Sequence, residues 1–175
     1  MSEHGEDDAA EESNEEFFHF SKWGMVTEFN DLLEERAAQG TPFNLSYTHD
    51  DLGRTCLIWS ARNGNDKMTE YLLRQKAEAE AKDSDGATAL LHACHANKES
   101  IARLLVEAGA KINTQDKHGN TPMLHTVARG NLNLATFIHG AGGHPEVQNK
   151  AGREFIHQNW HMYYNTYSQI YNANS

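Results

Sequence analysis

Glycine recurs at Gly53, Gly86, Gly119 and Gly152, and every step is 33 residues. Three residues before these stand Asp50, Asp83, Asp116 and Asn149; two residues after stand Thr55, Thr88 and Thr121, with Glu154 breaking the series. The apolar positions keep the same interval: Leu57, Leu90, Met123 and Ile156; Met68, Ile101, Leu134 and Tyr167; Tyr71, Leu104, Phe137 and Ile170; Leu72, Leu105, Ile138 and Tyr171. Chance does not align so many independent columns. A fixed period of this length means one supersecondary unit stacked on copies of itself, because so short a unit cannot bury its apolar face alone.

Within a unit, D-S-D-G-A-T (83–88) is turn chemistry, with Asp starting the turn and Gly supplying a positive φ. Thr88 sits where a helix N-cap belongs, ahead of the short apolar run A-L-L-H-A-C-H-A. A second helix follows in E-S-I-A-R-L-L-V-E-A, with Ile101, Leu104, Leu105 and Ala108 on one face. Gly109 ends it. Each unit therefore reads as a turn, a helix, a tight turn and an antiparallel helix.

D-K-H-G-N-T-P-M-L-H-T-V-A-R-G-N (116–131) and L-L-V-E-A-G-A-K-I-N (104–113) resemble the opening and the close of the ankyrin-repeat unit. Three full repeats, 50–82, 83–115 and 116–148, match in this way, and the resemblance implies an all-α ankyrin-repeat solenoid. The chain departs from the family pattern where Ile58, Leu91 and Leu124 replace the histidine of its T-P-L-H opening, and its proline survives only as Pro122. Without that histidine's bond to threonine, a softer turn is expected, with an apolar side chain filling the gap.

The ends read as caps. Residues 15–49 carry a helix pair in which Phe29, Leu32 and Leu33 keep the second-helix register and Phe18 takes the first-helix leucine position. Leu33 lies 39 residues before Leu72, six more than one period, so A-A-Q-G-T-P-F-N-L-S-Y-T-H-D (37–50) is an enlarged first finger. Residues 149–175 form an aromatic-rich C-terminal cap, with Tyr167 and Tyr171 in leucine positions. Tyrosine offers an apolar body to the stack and a polar tip to water.

Of 175 residues, 25 are acidic and 15 basic, a formal charge of −10. Residues 1–16 hold eight of those acids and no Lys or Arg, so the other 159 carry 25 − 8 = 17 acids against 15 bases, or −2. The first 14 residues are expected to be a disordered acidic tail, too poor in apolar surface to offset the entropy of ordering. Such a tail would either attract a basic partner or shield the binding face. The charge argues against a nucleic-acid or anionic-membrane binder. No apolar run approaches a membrane span, and the acidic start is the opposite of a signal peptide's basic beginning. Residence in the cytosol or nucleus is expected. Cys56 and Cys94 make neither a disulfide framework nor a metal knuckle and read as reduced core thiols.

No nucleophile motif and no phosphate-cradling loop is present, and Gly140, Gly142 and Gly143 fall where a repeat closes. An enzyme is not expected, nor a cofactor. Eleven histidines raise an alternative. His92 and His95 share a helix face and His125 lies one period beyond His92, a set that could bind metal or sense pH. Against metal, Cys94 points to the core at this register and no carboxylate is placed as a fourth ligand.

The resemblance implies a concave surface built from fingertips and first helices, and with it protein binding as an adaptor, assembly chaperone or inhibitor. The implied contact residues are Asp51, Leu52 and Arg54; Ser84 and Asp85; Lys117 and His118; and Trp59, Arg62, His92, His95, His125 and Arg129 on the helices. Trp59 beside arginine has the composition of a hot spot, or else of a packing residue. The fingers run from acidic (Asp50, Asp51, Asp83, Asp85) to basic (Lys117, His118, Lys150, Arg153), which would orient a partner carrying a basic and then an acidic segment. Tyr163 and Tyr164 stand where Gly64 and Gly130 make the helix-helix turn, so either that turn is remodelled or they meet the partner. The free protein is expected to be a monomer.

Overall fold

A computed structural model describes residues 4–48, 50–144, 149, 150, 165 and 168, with residues 4–13 described by their backbone alone. Its eight bounded helices pair in chain order: α1 (His4–Trp23) with α2 (Val26–Ala38), α3 (Cys56–Asn63) with α4 (Asp66–Arg74), α5 (Ala89–His95) with α6 (Glu99–Glu107), and α7 (Pro122–Ala128) with α8 (Leu132–Gly140). First helices pack on first helices, α1 on α3 on α5 on α7, while α2, α4 and α6 make the outer row. No strand occurs among the described residues.

The period maps onto this stack residue by residue. Thr55, Thr88 and Thr121 each accept a hydrogen bond from the backbone N–H three residues on, capping α3, α5 and α7. Leu57, Leu90, Met123, Met68, Ile101, Leu134, Leu72, Leu105 and Ile138 are all buried in one continuous core. The helix-helix turn needs a left-handed residue, and Gly64, Asn97 and Gly130 supply it at φ +88°, +58° and +67°. Tyr163, next in that column, lies outside the described residues.

The fingers are tied to one another by a backbone bond with the same period. Ser84 N–H donates to Leu52 O at 2.7 Å, Lys117 N–H to Asp85 O at 2.8 Å, and Lys150 N–H to His118 O at 2.7 Å. Glycine is required beside it. A Cβ on Gly119 would stand 3.0 Å from Lys150 N, and the residue sits at φ +80°.

The second and third turns are closed by their own aspartates. Asp83 Oδ1 accepts from Asp85 N–H at 3.0 Å and Ala87 N–H at 2.9 Å; Asp116 Oδ1 accepts from His118 N–H and Asn120 N–H, both at 2.8 Å. Ile58, Leu91 and Leu124 are buried where that histidine would stand, as the apolar substitution predicts.

The N-terminal end differs from the expectation of a disordered segment over residues 1–14, because α1 already begins at His4. Glu and Ala are strong helix formers, and acids at the start of a helix meet the positive end of its dipole. The enlarged finger closes the stack from above. Its Phe43 stacks on Phe17 with ring centroids 3.9 Å apart and meets Phe29 edge-on, so the insertion plugs the first layer of the core. Asn65 Nδ2 donates to Ser21 O at 2.9 Å and Lys22 O at 2.8 Å, satisfying carbonyls at the end of α1. We expect Phe43→Ala to lower the unfolding free energy by about 3 kcal/mol, the cost of emptying an aromatic site. Urea denaturation followed by circular dichroism measures it; a loss under about 1 kcal/mol would mean that the finger does not close the core.

Candidate functional site

Between the second and third fingers, the first helices and the fingers enclose a groove of about 300 Å³. Its walls are Arg54, Arg62, Asp85, Ala87, Leu91, His92, His95, Asp116, His118, Asn120 and His125. These residues come from α3, α5, α7 and the fingers, so the groove exists only when three units stack.

A buried charge cluster underlies it. Asp83 is fully buried, and His92 Nε2–H donates to its Oδ2 at 2.7 Å. Arg54 lies across the same finger, with Nη1 3.6 Å from Asp50 Oδ2 and Nε 3.8 Å from Asp83 Oδ2. Trp59 completes the cluster, its ring lying 5.0 Å from the Arg54 guanidinium, 5.4 Å from Lys22 Nζ and 5.8 Å from the Arg62 guanidinium. Three cations thus surround one half-buried indole.

Two imidazoles meet across the repeats. His95 Nδ1 and His125 Nδ1 are 3.4 Å apart, and Arg129 Nη2–H faces His95 Nε2 at 3.3 Å. Because a guanidinium only donates, His95 Nε2 is an acceptor and its proton is on Nδ1. That proton is directed at His125 Nδ1, which leaves the His125 proton on Nε2.

A second depression of about 600 Å³ lies at the N-terminal end, lined by Glu15, Glu16, Phe18, His19, Phe20, Lys22, Asp50 and Trp59.

The implied contact residues divide into three groups. Asp51, Leu52, Arg62, Asp85, His95, Lys117, His118 and Arg129 are exposed, and Ser84, Trp59, His92 and His125 are half-buried. Arg54 is buried rather than presented at a fingertip, because it is drawn inward between two finger aspartates and Trp59. Asp83 is likewise removed from the acidic fingertip series, which leaves Asp51 and Asp85 as its exposed members. Tyr163, Tyr164 and Arg153 lie outside the described residues. Among the described residues no group of three His, Cys, Asp or Glu is placed to hold a metal, so His92, His95 and His125 do not form a centre: His92 is committed to Asp83 and His95 to its arginine and histidine neighbours. Asp83 and Asp116 were legible as turn residues but not as the buried partner of His92 and a wall of the groove. The signal was the column nine residues after each finger aspartate, Trp59, His92 and His125.

All three histidines resist protonation. Burial pushes His92 below the usual range and outweighs the bonded Asp83 carboxylate, which acts the other way. Burial and then Arg129 lower His95; burial and then His95 bring His125 down to about 4. A folded state that prefers neutral imidazole is stabilised above the unfolded pKa, near 6.5, and loses that stability as pH falls toward the folded values. Wild type should therefore lose more unfolding free energy than His125→Gln between about pH 6.5 and 4, by on the order of 3 kcal/mol. Urea denaturation across that range measures the difference, and parallel curves would show that His125 is not desolvated.

The family model for ankyrin repeats in three copies matches residues 24–116 and 75–150, more than half of the chain. No curated protein sequence matches it. The period, the capped helix pairs and the family match together identify the chain as a member of the ankyrin-repeat family.

Proposed function

We propose that this protein is a non-catalytic binding module that holds a partner protein on its concave face, as an adaptor, assembly chaperone or inhibitor. Ankyrin repeats mediate protein-protein interaction, and the stack presents an extended rigid surface for it. The observation that carries the reading is the distribution of exposed charge along that surface. Glu15, Glu16 and Asp51 stand at the N-terminal end, whereas Arg62, Lys117, Arg129 and Lys150 stand over the middle and far end. A partner with a basic segment followed by an acidic one is complementary in one orientation only. The histidine metal alternative gains nothing from the described residues, among which no three His, Cys, Asp or Glu are grouped to hold an ion. No cofactor is required, and neither nucleic acid nor a membrane surface is among the proposed ligands. Among the described residues no helix is long and apolar enough to cross a membrane. Cys56 and Cys94 are free and buried, each thiol pushed up to about 12 by desolvation, which suits a monomer of the cytosol or nucleus that keeps its thiols reduced.

Charge reversal at Lys117 and Arg129, and separately Trp59→Ala, should each weaken capture of the partner from lysate at least tenfold, about 1.4 kcal/mol. Helical circular dichroism of both variants should match wild type, and crosslinks from the captured protein should map to the finger and first-helix face. Undiminished capture by both folded variants would show that binding uses another surface.

A further inference from the structure

We propose that the groove between the second and third fingers is a carboxylate-binding site, and that its occupant is an acidic segment of the partner polypeptide. This rests on the concave face being the binding face and states what that face reads.

The first observation is a buried donor left unmade. Arg54 lines the groove with its side chain 9% exposed, and its Nε–H has no hydrogen-bond acceptor among the described residues. The nearby Asp83 Oδ2 lies 3.8 Å away and already takes the His92 proton at 2.7 Å. That donor is itself covered, so a ligand oxygen reaches it only where the guanidinium turns toward the groove, and the bond then recovers the free energy of the desolvated donor. The second observation is the direction of the imidazole chain. With Arg129 facing His95 Nε2, and the His95 proton directed at His125, the His125 Nε2–H is a further donor without an acceptor among the described residues. Arg54 and His125 therefore bring two unused donors to one groove.

The carboxylates nearest these donors are already engaged. Asp116 accepts from His118 N–H, Asn120 N–H and Asn120 Nδ2–H, and Asp83 from two backbone amides and His92. Asp85 is the exposed carboxylate of the groove wall. Arg62 in the groove wall adds a cationic fork suited to bidentate contact with a carboxylate, and Arg129 stands beside it against His95. About 300 Å³ accommodates one or two side chains of an extended segment.

Occupation couples to protons. His125 faces His95 and His92 of α5, Asp116 of the third finger, and Arg129 of its own helix end; His95 faces Arg62 as well. A carboxylate added to that set favours imidazolium, so the bound groove takes up protons and affinity rises as pH falls.

The test uses the full chain and a hexaglutamate peptide, with hexaglutamine and inorganic phosphate as controls. Calorimetry should show saturable hexaglutamate binding that is tighter at about pH 5.5 than at about pH 7.5 by about threefold or more, and no hexaglutamine binding. The His125 ring-proton titration should move up by about one unit in the complex. Arg62→Gln with Arg129→Gln should weaken binding at least tenfold; Arg74→Gln, on the outer helix α4 and paired with Glu70, should not. Absence of hexaglutamate binding at both pH values overturns the site, as does a phosphate complex formed in its place or equal weakening by Arg74→Gln. If lysate capture through the concave face persists when hexaglutamate fails, the carboxylate site falls alone. If capture ignores the concave-face variants, the reading beneath it falls.

Discussion

Each finger of the stack donates one backbone N–H to a carbonyl of the finger before it, at Ser84, Lys117 and Lys150, and the partners Leu52, Asp85 and His118 keep the 33-residue interval. This contact fixes the spacing and the rotation between units. Glycine recurs beside it because Gly53, Gly86 and Gly119 all sit at positive φ, +62°, +73° and +80°, and at Gly119 an added Cβ would also crowd the backbone of the next finger. The same contact brings first helix against first helix, so that Leu57, Leu90 and Met123 bury one another across units and no unit has to close its own core.

A stack of this kind has two ends to cover and one concave face to use. The N-terminal end is covered by aromatic packing, with Phe43 of the enlarged finger laid on Phe17, where the internal units use leucine. The face is shaped by how charge is distributed between interior and surface. Arg54 and Asp83 look like fingertip charges, yet both are drawn inward, and their burial holds the second finger against α3 and α5. What stays outside, Arg62, Lys117 and Arg129 among others, gives the middle of the face its cationic character. The same desolvation that lowers the histidines makes their protonation state responsive to a bound anion.

Much of this was legible in the residues. Threonine N-caps, the two helix faces and the apolar replacement of the family histidine could all be read from columns of identical chemistry, because each is set by neighbours within a few positions and is written three times over. How the turns are closed was not, because it depends on which way the Asp50, Asp83 and Asp116 side chains fold back. Helix over residues 4–14 was missed for a related reason: a row of like charges was weighed against order, while the helix propensity of Glu and Ala favours it.

By itself the sequence determined the architecture: an all-α stack of 33-residue units and its core columns. Periodicity is a local signal repeated until it cannot be mistaken. Only the tertiary structure decided which polar residues of that face are free to meet a ligand. His92 meets Asp83, His95 meets His125, and Arg54 lies between two finger aspartates. Those pairings join different columns and, in two of the three, different repeats, and whether each charge is worth keeping in water depends on desolvation by units that no single stretch of chain contains.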